Sequence, residues 1–98
     1  MKLTALNPRW LTDHLFIFRC PHCRDEWLIC KDVPMKASDQ CELVLRDFPE
    51  AKGKFVCAKD AYSWKFSGRD FSTLTVFPSI NAGKSGHWHG WIKGGEVA

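Results

Sequence analysis

The chain has 98 residues and a mass of 11.2 kDa, with 45% hydrophobic and 26% charged residues. That length holds one domain spanning residues 1–98, and the composition is that of a folded chain; multi-domain enzymes, coiled coils and repeat arrays are excluded. The net charge of +3 is uneven: residues 1–50 hold seven Lys/Arg and eight Asp/Glu, residues 51–98 seven and three, which is too mild an excess to signal nucleic-acid binding by itself.

No apolar run approaches the roughly 20 residues of a membrane span. The segment Met1 to Pro8 lacks the long apolar stretch of a signal peptide. Five Cys is an odd count, unlike a secreted disulfide framework. The expected setting is therefore a reducing cytoplasm, where close-spaced Cys bind metal or do redox work.

In chain order, Leu15 to Arg19 reads as a strand and Pro21 as a turn. Glu26 to Cys30 reads as a second strand, which puts Cys20 and Cys23 at the tip of a hairpin. Ser38 reads as a helix N-cap. Cys41, Val44, Leu45 and Phe48 then recur at the spacing of one helical face, and Pro49 ends the helix. Residues 54–57, 62–66 and 73–77 read as strands, the last closed by Pro78. Residues 81–86 form a Gly-rich loop, 87–92 the last main strand, and 93–96 a turn. The sum is an α+β domain with a small, mostly antiparallel sheet and one helix.

Two clusters carry chemistry. Cys20-Pro21-His22-Cys23 places two thiols three positions apart across a turn, one half of a zinc knuckle. His87-Trp88-His89 places two imidazoles two positions apart, on one face if the segment is a strand. Together Cys20, Cys23, His87 and His89 offer a tetrahedral zinc site whose thiolates neutralise the ion. Zinc binding on the order of 10–16 kcal/mol in small peptides rivals the whole stability of a domain, roughly 5–15 kcal/mol. Cys57 is the first substitute ligand and Cys30 the second. Otherwise Cys30, Cys41 and Cys57 read as small buried hydrophobes. Four protein ligands would close the metal, so no catalytic residue is assigned and the chain reads as a non-enzyme.

The stretches Trp64-x-Phe66-x-Gly68, Thr75-x-x-Pro78-Ser79-Ile80 and Gly86-His87-Trp88-His89-Gly90-Trp91-Ile92, with Gly94-Gly95 after them, resemble a family of small phage and prophage proteins. That family is a domain of unknown function with an N-terminal Cys-Pro-x-Cys and a closing His-Gly-aromatic segment. The resemblance covers about residues 15–97. It implies a metal-stabilised, β-rich domain encoded by a phage or prophage. Many members carry a Cys shortly before the terminal His segment; none follows Cys57 here, and His87 stands in that role.

Two rival readings use the same residues. Cys20-Pro21-His22-Cys23 is similar to the active-site tetrapeptide of a thiol–disulfide oxidoreductase, with Val76-Phe77-Pro78 as its proline loop. Such a site should open a helix, which residues 25–29 are too short to form. Alternatively Trp88, Trp91, Tyr62 and Trp64 stack on bases, with Lys84, Lys93, Lys65 and Arg69 on phosphates; the plainer view makes most of these aromatics core. The first expectation is a zinc-binding cytoplasmic protein that acts by binding a host or phage macromolecule, for example by inhibiting a host or defence protein. Its candidate interaction surface is Lys84, Trp88, Trp91 and Lys93.

Overall fold

The protein is described from a computed structural model, which covers residues 1–82 and 86–98. The α+β class holds, with one α-helix among the described residues, but their strands divide into two four-stranded sheets. The first contains β1 (Arg9–Thr12), β2 (Leu15–Arg19), β3 (Trp27–Lys31) and β4 (Phe55–Val56), in that order. The second contains β5 (Lys65–Ser67), β6 (Thr75–Asn81), β7 (His89–Lys93) and β8 (Glu96–Val97), also in chain order. All neighbouring pairs are antiparallel except β3 with β4. The helix α1 (Ala37–Asp47) covers the first sheet.

The first sheet is the middle of three layers, and its sequence shows why. In β2 and β3 every residue except Arg19 is buried. Alternate side chains go to opposite faces of a strand. Leu15, Ile17, Trp27 and Ile29 meet Val44 and Phe48 from the helical layer. Phe16, Phe18, Leu28 and Cys30 meet Val76, Ile80, Ile92 and Val97 from the second sheet. A strand buried on both faces reads as a continuous apolar run. Among the described residues the second sheet is covered on one side only, and β7 alternates exposed and buried residues.

Local chemistry moves several expected boundaries. β6 continues through Pro78 to Asn81, and the Phe77–Pro78 peptide is cis. Its pairing with β7 is irregular between Val76 and Ile80, a bulge that accommodates a residue with no N–H to donate. Gly94 and Gly95, at φ 54° and 80°, form a two-residue turn between β7 and β8, a conformation side chains resist. β1 and β8 have no expected counterpart. The strand expected at 62–66 is shifted to Lys65–Ser67.

The helix also differs from its expected form. Ser38 does not cap it: the helix begins at Ala37, whose N–H donates to the Asp60 carboxylate at 2.9 Å. The buried helical residues are Gln40 and Val44, whereas Leu45 is 41% exposed. Gln40 replaces an apolar contact because its amide pairs with backbone, donating to the carbonyls of Met35 and Ala58 and accepting from the Ala58 N–H, each at 2.9 Å.

A second buried polar group fixes the same connection. The Lys31 side chain is fully buried at the end of β3. Its ammonium donates to the carbonyls of Lys59 (2.9 Å), Asp60 (3.3 Å) and Tyr62. Charge-assisted bonds offset the cost of removing the ammonium from water. Lys31 and Gln40 thus hold residues 58–62 against the helix start and the edge of the first sheet.

Candidate metal centre

The β2–β3 connection is a tight, internally bonded turn. The Cys20 N–H donates to the Glu26 carbonyl at 2.8 Å and the Arg24 N–H to the Cys20 carbonyl at 2.9 Å. Arg24 takes φ 59°, and the Arg19 guanidinium donates to its carbonyl at 2.8 Å. Cys20, fully buried at the end of β2, and half-buried Cys23 are thereby held on one turn.

The second sheet delivers the imidazole. The β6–β7 connection is closed by the Ala82 N–H donating to the Trp88 carbonyl (3.0 Å) and the His87 N–H donating to the Ala82 carbonyl (3.1 Å). His87 lies at this end of the sandwich, with its side chain only 8% exposed. Ligand atoms of Cys20, Cys23 and His87 all lie within 4.8 Å of one another. Cys23 Sγ is 3.5 Å from His87 Nδ1. Zinc–sulfur and zinc–nitrogen bonds of about 2.3 and 2.05 Å at a tetrahedral angle give a sulfur–nitrogen edge of about 3.5 Å. Cys23 and His87 therefore stand at the separation a tetrahedral ion requires, with Cys20 near enough to complete the group.

The far side of the imidazole is also engaged. His87 Nε2 lies 3.4 Å from the Glu26 carboxylate. A carboxylate behind a ligating imidazole fixes its tautomer and orientation, leaving Nδ1 to face the sulfurs. Sequence reading overlooked Glu26; its only signal there was proximity to Cys23, because the partner imidazole belongs to the other sheet.

The surroundings of Cys20 ease the loss of its thiol proton. Burial pushes its thiol up, but the backbone N–H groups of Cys23, His22 and Trp88 and the Cys23 side chain more than compensate, leaving the pKa below the ordinary thiol value. The other two candidate thiols move the opposite way. Burial pushes Cys30 up strongly, and burial with the nearby Cys41 and Asp60 charges pushes Cys57 up.

Three of the four expected metal-ligating residues are thus brought together. His89 does not join them: it opens β7 with its side chain exposed, and His87 precedes the strand, so the two-residue spacing does not carry both rings to one place. The substitutes are elsewhere among the described residues. Cys30 lies in the interior between the sheets, and Cys57 lies on the helical side, with its Sγ 3.8 Å from the Ala37 carbonyl. All five Cys are free thiols. The helix that a redox tetrapeptide should open is not found after Cys20; a hairpin turn follows instead, and α1 begins at Ala37.

The expected interaction residues also separate. Trp88 packs edge-on against Phe18, with ring centroids 6.2 Å apart, and lies across Gly90. Trp64 is buried and donates its indole N–H to the Ser79 carbonyl at 3.3 Å. Arg69 lies over the Trp10 ring at 4.0 Å. Trp91 and Lys93 are exposed on the outer face of β7. Lys84 lies outside the described residues. No described helix is long and apolar enough to cross a membrane.

No protein-family model, curated protein or solved structure matches the chain.

Proposed function

We propose that the chain is a zinc-stabilised binding module, in which the metal fastens the two sheets and the work is done by contact with a macromolecule. The observation that carries this reading is the convergence of Cys20 and Cys23 from one sheet with His87 from the other, backed by Glu26. Two thiolates and an imidazole suit zinc, and two thiolates balance its charge. The fourth position falls to water. A metal placed this way closes the end of the sandwich and has no assigned chemical step. The resemblance to small phage and prophage proteins supports a host or phage macromolecule as partner, met in the cytoplasm of a bacterial cell.

The test is metal content in protein purified without added metal or chelator, with free thiols counted before and after chelation. One zinc per chain, with Cys20 and Cys23 becoming reactive on chelation, is the expected result. Cys23→Ser should lose the zinc and, with it, the fold. A well-folded, metal-free Cys23→Ser protein would overturn the reading.

A further inference from the structure

Among the described residues nothing covers the outer face of the second sheet, where large aromatic side chains are exposed. Phe77 is 61% exposed and Trp91 40% exposed. Val76 on β6 pairs with Ile92 on β7 and both are buried, so their neighbours Phe77 and Trp91 both lie on the opposite, outer face. Lys65 on β5 is the cross-strand partner of Phe77. A basic residue and two aromatic rings are therefore presented on one face by three neighbouring strands. Lys93 adds a second cation, with its ammonium 5.0 Å from the centre of the Trp91 ring.

The charge of this face is basic on balance, with Lys65 and Lys93 against one carboxylate. Among the described residues of β5 to β8, Glu96 is the sole carboxylate; it is the cross-strand partner of Lys93 and lies 3.8 Å from the N-terminal ammonium. The chain from residue 51 onward holds seven Lys/Arg and three Asp/Glu. Flat apolar rings flanked by lysines suit a polyanion that carries flat rings of its own. Protein-binding surfaces are enriched in aromatics but depleted in lysine, which argues against a protein partner here. A duplex hides the faces of its bases, whereas a single strand offers them for stacking.

We propose that the Phe77–Trp91 face binds single-stranded nucleic acid, with bases stacked on the two rings and phosphates on Lys65 and Lys93. This deepens the binding-module reading and rests on it for the existence of a macromolecular partner, but not for the metal. Stacking on this face is tolerant of sequence, because every base has a ring face.

The experiment uses the full chain as purified, with its metal content recorded. Fluorescence anisotropy follows labelled oligothymidylate and oligouridylate of about 12 nucleotides, against a duplex of equal length. Saturable binding of a single strand, weaker for the duplex, is expected. Trp91→Ala and Phe77→Ala should each weaken binding by about 5- to 150-fold. Lys65→Gln and Lys93→Gln should each flatten the dependence of log affinity on log salt by about 0.7. All four positions are exposed, and circular dichroism with metal content checks that each variant keeps the fold.

No saturable binding of either strand at low salt overturns the proposal. So does equal binding by Trp91→Ala, or a preference for duplex. Self-association of the wild type that Trp91→Ala abolishes also overturns it, by assigning the face to a second copy of the chain. A metal-free wild type that still binds oligonucleotide refutes the zinc reading and leaves this one standing. A zinc-loaded protein that binds no strand does the reverse.

Discussion

Replacing Lys31 with Met keeps the length of the side chain and removes its charge and donors. Three backbone carbonyls then lose their partner: those of Lys59, Asp60 and Tyr62. A hydrogen bond from a charged donor contributes about 1.5–3 kcal/mol, and an acceptor left unsatisfied in a buried site costs about 1–3 kcal/mol. The methionine regains something by escaping the desolvation that the ammonium bears, and water can reach the exposed side of the 59–62 connection. The net loss should be about 3 kcal/mol, close to that for breaking a buried charged interaction from one side. For a domain of this size that lowers the melting temperature by about 12–24 °C. Thermal unfolding followed by circular dichroism measures it, with Lys59→Met as the control, because Lys59 contributes only its carbonyl. A Lys31→Met protein that melts within about 4 °C of the wild type would refute the idea that this ammonium organises the connection.

Two further outcomes follow from single contacts. Glu26→Gln removes the negative charge behind His87 and should weaken zinc binding about 10-fold in a chelator competition; unchanged affinity would make the 3.4 Å contact incidental. Gly90→Ala would place a Cβ 2.2 Å from the Ala98 carbonyl oxygen and 2.4 Å from the Trp88 ring, so urea unfolding should show a loss of about 1–3 kcal/mol. Adding Trp88→Ala should not restore it, because the backbone oxygen remains; full restoration would place the conflict with the indole alone.

The hairpin bearing Cys20 and Cys23 was legible because its signals are local: an apolar run, a Pro-containing turn and a second apolar run. The division into two sheets was not legible. Leu15 to Phe18 is apolar throughout, which shows that a strand is buried but not what covers each face. Ser38 offered itself as a cap by its position in sequence, whereas the actual partner of the helix start, Asp60, lies 23 residues away. Gln40 and Lys31 look like solvated residues in sequence; only the backbone groups they meet explain their burial. Among the candidate ligands, the Cys pair followed from a turn, and His87 followed from composition. His89 was paired with it on the assumption that one strand held both, and β7 begins at His89, two residues too late for that.

The sharing of β2 and β3 between two interiors bears on how the molecule comes apart. Their side chains alternate between the helical layer and the second sheet, so neither interface can separate without exposing residues on the same two strands. Local openings that free an amide are confined to elements with few such commitments, and β8, with two residues, is one of them. The amides of β2 and β3 should therefore exchange with deuterium only when the whole domain opens. The middle sheet makes the two interiors a single cooperative unit, despite their lying on opposite sides of it.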